Sequence, residues 1–136
     1  MTFLHWTKDL ELGIESIDAQ HQKLVDYINE IAEAHAQHDR VALGTALEHL
    51  INYTIEHFAY EEEMLNKAGY PLLTAHSNVH KNFVNKVAGF KTRFDYGEDV
   101  AGELLDLMDG WLFAHIRRND QGYVETVRKS GIAAQY

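Results

Sequence analysis

Apolar residues recur along this chain at alternating steps of three and four, the period that lays one stripe along an α-helix. Starting from Asp18, a suitable N-cap, His21, Leu24, Ile28, Ile31 and His35 form the first stripe. Gln37-His38-Asp39 breaks it, and Asp39 stands where it can cap a second helix with Leu43, Leu47, Leu50, Thr54, His57, Glu61 and Met64 in line. Gly69-Tyr70-Pro71 reads as a turn, after which Thr74 is expected to cap a third helix. Its stripe is Leu73, His76, His80, Phe83, Val87, Phe90 and Phe94, closed by Tyr96-Gly97-Glu98-Asp99. A fourth carries Ala101, Leu105, Met108, Leu112 and His115, flanked by Trp111 and Ile116.

Four helices joined by short turns predict an all-α protein, an up-down-up-down antiparallel four-helix bundle. Residues 1–17 hold Trp6, Leu10, Leu12, Ile14 and Ile17 at no clean period, and are expected to form an N-terminal arm along the surface. Residues 18–119 would be the bundle and 120–136 a C-terminal segment with a short helix, the whole forming a single domain of residues 1–136.

The polar residues inside these stripes change the picture. His57 and Glu61, four apart, lie about 40° apart on a helix and can point at one spot. They sit where apolar residues belong, and burying a carboxylate there without a partner would cost several kcal/mol. His21 falls early in the first helix, His57 and Glu61 late in the second, His76 and His80 early in the third, and His115 late in the fourth. In antiparallel helices, alternation of early and late means one end of the bundle. Asp120, five residues past His115, would be turned about 140° away on an ideal helix. It can join the others only if the helix widens by a π-type turn or ends first, which Arg117-Arg118-Asn119 permits.

Composition narrows the chemistry. There is no cysteine, so thiolate metal sites, disulfides and thiol catalysis are excluded, and any metal must be held by nitrogen and oxygen. A formal charge of -9 argues against nucleic acid or an anionic membrane surface as the main partner. Neither a signal peptide nor a membrane span is expected, which makes a soluble cytoplasmic protein the default. Five imidazoles and two carboxylates exceed what one ion usually takes, and suit two first-row transition ions, iron first, over calcium or magnesium. The Glu-x-x-His pairs of ferritin-like di-iron sites and the His-Glu-x-x-His of zinc proteases are both absent. His5, His35, His38 and His49 fall outside the pattern, and His38-Asp39, similar to the dipeptide of HD-type phosphohydrolases, sits in a turn without partners. In Glu61-Glu62-Glu63 only Glu61 is expected to point inward.

His21, His57-x-x-x-Glu61, His76-x-x-x-His80 and His115-x-x-x-x-Asp120 together resemble the complete ligand set of the hemerythrin family. The opening Trp6, Gly13 and Ile17-Asp18-x-Gln20-His21 is similar to that of its bacterial single-domain members. The resemblance implies two iron ions (Fe2+/Fe3+) joined by an oxo or hydroxo bridge. His76, His80 and His115 would hold one ion, His21 and His57 the other, with Glu61 and Asp120 bridging. The second ion is then one position short of six, and dioxygen would bind there. Leu24 and Phe58, adjacent to ligands, and Trp111 and Leu112, one turn before His115, are expected to wall an oxygen pocket. Tyr123, which follows Asp120 closely, is a candidate for a polar neighbour of the site. The implied function is reversible dioxygen carriage or storage without enzymatic turnover, by a monomer that would serve an oxygen-consuming enzyme as recipient. Sensing of oxygen, redox state or nitric oxide by the same site is the rival reading, although such sensors usually carry an output domain for which this chain has no length left. Peroxidase or oxidase activity is a third.

Overall fold

The computed structural model describes residues 3–136 and places four long helices in an antiparallel bundle: α1 (Glu15–Ala36), α2 (Arg40–Ala68), α3 (Leu73–Asp95) and α4 (Ala101–His115). The chain continues from α4 without a break through a π-helical turn, Ile116–Asp120, and a 3-10 turn, Gln121–Tyr123. A short helix α5 (Val124–Lys129) follows, packed against α2. No strand occurs among the described residues. The up-down-up-down bundle expected from the stripes is the observed fold. No helix in the described residues is long and apolar enough to cross a membrane.

The stripes face the core as their spacing requires. Leu24, Ile28 and Ile31 of α1, Leu43, Leu47, Leu50 and Met64 of α2, Phe83 and Val87 of α3, and Leu105, Met108 and Leu112 of α4 are all buried. His35, at the far end of the first stripe, is half-buried. At that end the Arg40 guanidinium donates to the Phe94 and Glu98 carbonyls and lies over the Phe94 ring, tying the two end loops together.

Helix boundaries follow capping chemistry with two departures from expectation. Asp39 caps α2 as predicted, its carboxylate accepting the Ala42 N–H at 3.0 Å. That leaves the His38-Asp39 dipeptide a capping turn, with His38 exposed and in the left-handed region at φ 52°. Gly69 ends α2 at φ 71°, a conformation a side chain disfavours, and the Tyr70 N–H returns to the Leu65 carbonyl at 3.0 Å. Thr74 does not cap α3. The helix starts one residue earlier, after Pro71-Leu72, its first turn closed by the His76 N–H on the Leu72 carbonyl at 3.0 Å.

Asp18 does not cap α1 either, because the helix begins three residues before it. Its carboxylate reaches backward instead, accepting the N–H of Leu12 at 2.8 Å and of Gly13 at 3.0 Å. This folds the arm into the helix start, where Gly13 at φ 84° leaves no room for a Cβ beside Arg128. The arm is also more deeply seated than expected: Leu4, Leu10, Leu12 and Ile14 are buried, and Asn29 pairs with both backbone groups of Leu4. Its irregular spacing reflects packing by turns rather than by one helical face.

Asp18→Ala leaves two backbone N–H groups without their acceptor. It should lower the unfolding free energy of the metal-free protein by about 1–3 kcal/mol, read from the denaturant midpoint.

Candidate metal centre

All seven polar residues singled out by the stripes and the turn after α4 lie at one end of the bundle, and all seven are buried. His21 comes from α1, His57 and Glu61 from α2, His76 and His80 from α3, and His115 from the last turn of α4. Asp120 arrives through the π-helical turn, whose wider winding swings the carboxylate inward where an α-helix would aim it at solvent.

The two carboxylates divide their oxygens between the same two groups of imidazoles. Glu61 Oε1 faces His76 Nε2 at 2.7 Å and His80 Nε2 at 3.2 Å, while Oε2 faces His57 Nε2 at 3.4 Å and His21 Nε2 at 3.7 Å. Asp120 Oδ1 lies 3.1 Å from both His76 and His115, and Oδ2 lies 3.1 Å from His21. Two sets of donors result: Glu61, His76, His80, His115 and Asp120 in one, and His21, His57 and Glu61 in the other.

As a purely proteinaceous network this arrangement is poorly satisfied. Both Asp120 oxygens and both His21 nitrogens are buried without a hydrogen-bond partner among the described residues, since the short distances between them lack hydrogen-bond direction. His80 Nε2 and His115 Nε2, 3.2 Å apart, aim at the same point. Nε2 lone pairs and carboxylate oxygens converging in this way fit cations of the first transition row, with imidazole and carboxylate as ligands.

The outer nitrogens of three imidazoles have acceptors that the sequence alone did not reveal. His57 Nδ1 lies 2.6 Å from Gln20 Oε1, His115 Nδ1 3.0 Å from Asn119 Oδ1, and His80 Nδ1 2.9 Å from Glu62 Oε2. Each such bond fixes the tautomer that leaves Nε2 free for a metal. Glu62 therefore departs from expectation. It is only partly exposed and serves the site, whereas Glu63 is solvated and pairs with Lys67. The signals were its place one turn up α2 from the His57-Phe58 pair and a side chain long enough to reach α3. Tyr123 is fully buried, and its hydroxyl donates to Glu61 Oε2 at 3.1 Å.

Aromatic rings hold the imidazoles in place. Phe58 stacks on His80 with centroids 3.6 Å apart, and Trp111 on His115 at 4.6 Å. Leu24, Phe58, Trp111 and Leu112 all line one narrow, largely apolar pocket between the helices, with Thr54 contributing a hydroxyl.

Without a metal, charge inside the site is balanced by protons. Burial disfavours the charged forms of His21 and His76, yet the Asp120 and Glu61 carboxylates prevail and raise both to about 9. Burial dominates at His57 and lowers it despite Glu61. Burial would raise Glu61, but the His21, His57, His76 and His80 imidazoles hold it well below the usual carboxylate range. Asp120 is likewise lowered, with His115 and His21 outweighing burial and the Glu61 charge. Burial and the Glu61 carboxylate raise the Tyr123 phenol, which stays a donor.

Residues 12–127 match the family described as Hemerythrin HHE cation binding domain. The chain is 41% identical over 128 residues to a bacteriohemerythrin of Stenotrophomonas maltophilia (strain R551-3), covering 94% of this chain and 84% of that one. It is 30% identical over 118 residues to myohemerythrin-1 of Phascolopsis gouldii, covering 87% and 89%. The crystal structure of a wild-type hemerythrin superposes with a TM-score of 0.86 at 28% identity, covering 91% of this chain and 97% of that chain.

The pKa shifts fix the pH dependence of the metal-free protein. His21 and His76, raised from 6.5 to about 9, add stability that is complete below 6.5 and lost as pH rises through about 9. Glu61 and Asp120, lowered from 4.5 and 3.8, add stability that is lost as pH falls through their folded-state values, and the depressed His57 penalises folding below 6.5. The melting temperature should peak near pH 6.5 and fall toward pH 9 by calorimetry. A rise over that alkaline interval would contradict the assignment.

Proposed function

The chain belongs to the hemerythrin family, and from that premise we propose that it binds dioxygen reversibly at a pair of iron ions, as a carrier or store rather than an enzyme. The observation that carries this reading is the division of both carboxylates between two imidazole sets, the arrangement that two neighbouring cations require. His76, His80 and His115 would hold one ion and His21 and His57 the other, with Glu61 and Asp120 between them. Iron, when bound, supplies the electrons that dioxygen takes up and returns.

The protein's own residues supply everything else. Gln20, Glu62 and Asn119 orient imidazoles so that Nε2 points inward, and Tyr123 anchors one oxygen of Glu61. The rings of Phe58 and Trp111 prevent those imidazoles from turning. Leu24, Phe58, Trp111 and Leu112 keep the adjoining cavity apolar and narrow, which favours a small uncharged gas over water and anions. Exclusion of water and protons is what allows release of the gas unchanged. Two carboxylates offset part of the charge of the cations, and binding them displaces the protons carried by His21 and His76.

The test is anaerobic reduction of the iron-loaded protein, followed by visible spectra as oxygen is admitted and removed. An absorption band that appears and disappears over repeated cycles supports carriage. A band that decays with consumption of oxygen would make the protein an oxidase.

Two variants should separate holding the metal from protecting it. His76→Ala should weaken metal retention by at least the roughly 10–100-fold that loss of an outer-shell partner costs. Leu112→Ala should keep its iron but lose the oxygenated spectrum faster, because it opens the dry wall to solvent. An unchanged decay rate would remove Leu112 from the pocket.

A further inference from the structure

The two donor sets are unequal beyond their count of imidazoles. In the larger set, His115 has a neutral amide acceptor in Asn119, and His80 has a carboxylate in Glu62. In the smaller, among the described residues, His57 has only the neutral amide of Gln20, and His21 Nδ1 is buried with no partner. Among the described residues, Glu62 is thus the only carboxylate that accepts from an outer nitrogen of the five imidazoles. A carboxylate accepting Nδ1–H leaves more electron density on Nε2 than an amide does, and makes the imidazole a stronger ligand.

We infer that the two metal positions fill in order, the His76, His80 and His115 position first, and that Glu62 sets much of the gap between the two steps by acting through His80. This rests on the two-metal reading of the site and adds an assembly sequence to it. A chain carrying one ion is then a defined species, with the His21 and His57 set still free. Glu62 is a positioning residue, since it touches the imidazole and not the metal. Its 2.9 Å contact spans α2 and α3, and the Phe58 ring stacked on His80 holds the imidazole in line with it.

The experiment is titration of the metal-free protein with cobalt(II), followed by visible absorption and chelator competition. Alongside it, 15N-edited NMR of the histidine side chains with one equivalent of zinc reads which imidazoles are engaged. Wild type should take two ions in two steps, and one zinc should shift Nε2 of His76, His80 and His115 while leaving His21 and His57. Glu62→Gln keeps an acceptor but removes the charge. It should weaken the first step by roughly tenfold, leave the second unchanged, and move the His80 Nδ1–H resonance upfield. Gln20→Glu should tighten the second step and narrow the gap from the other side. Equal weakening of both steps in Glu62→Gln, or no change in either, overturns the role of Glu62. One zinc distributed over both sets overturns the order. A wild-type end point of one cobalt or none would instead bring down the two-metal reading itself.

Discussion

Two carboxylates buried among five imidazoles at one end of a helical bundle are the constraint on which the rest of this structure depends. Each buried anion costs several kcal/mol unless positive charge or hydrogen bonds compensate it. Here the oxygens of Glu61 and Asp120 point at imidazole nitrogens and away from water. In the metal-free protein, protons on His21 and His76 provide part of the compensation, and they are a poor substitute, since both Asp120 oxygens remain without a directed hydrogen bond. Cations placed between the two imidazole sets would meet the carboxylate oxygens and the inward Nε2 atoms at once. The far end of the bundle has an ordinary apolar interior and supplies the stability that this arrangement draws on.

Antiparallel topology makes the convergence possible. An early position on α1 or α3 and a late position on α2 or α4 fall at the same height, so short turns bring six of the seven groups together. The seventh needs a local exception. The π-helical turn Ile116–Asp120 gives up regular α-helical bonding to aim one carboxylate inward, and the helical continuation through Tyr123 sets the hydroxyl that holds Glu61. The distortion lies only where the site requires it, and α4 is regular up to His115.

Much of this was legible in the sequence because burial and helical period are the same signal. The stripes placed Leu47, Phe83 and Met108 in the core, and the same period placed His57, Glu61, His76 and His80 there against their polarity. Asp39 was readable as a cap since its carboxylate meets the free N–H groups directly ahead of it. Asp18 was not. Its carboxylate turns back on Leu12 and Gly13, a contact set by the path of the arm. Thr74 failed for a related reason: the Pro71-Leu72 turn starts α3 at Leu73, so Thr74 stands inside the first turn and Leu72 holds the N-cap position. Glu62 was hidden by its neighbours, because a Glu-Glu-Glu run reads as solvated surface until α3 is known to pass within reach. Gln20 and Asn119 were hidden likewise, one turn or less from the ligands His21 and His115 and without a period of their own.

On the proposed reading the seven groups would hold two metal ions with the carboxylates between them. A crystal structure of the iron-loaded protein, with anomalous diffraction recorded across the iron absorption edge, tests it most directly. Two anomalous peaks are expected, one bounded by Nε2 of His76, His80 and His115, the other by Nε2 of His21 and His57, with Glu61 and Asp120 spanning both. A single peak shared by all five imidazoles, or iron bound away from them, would contradict it.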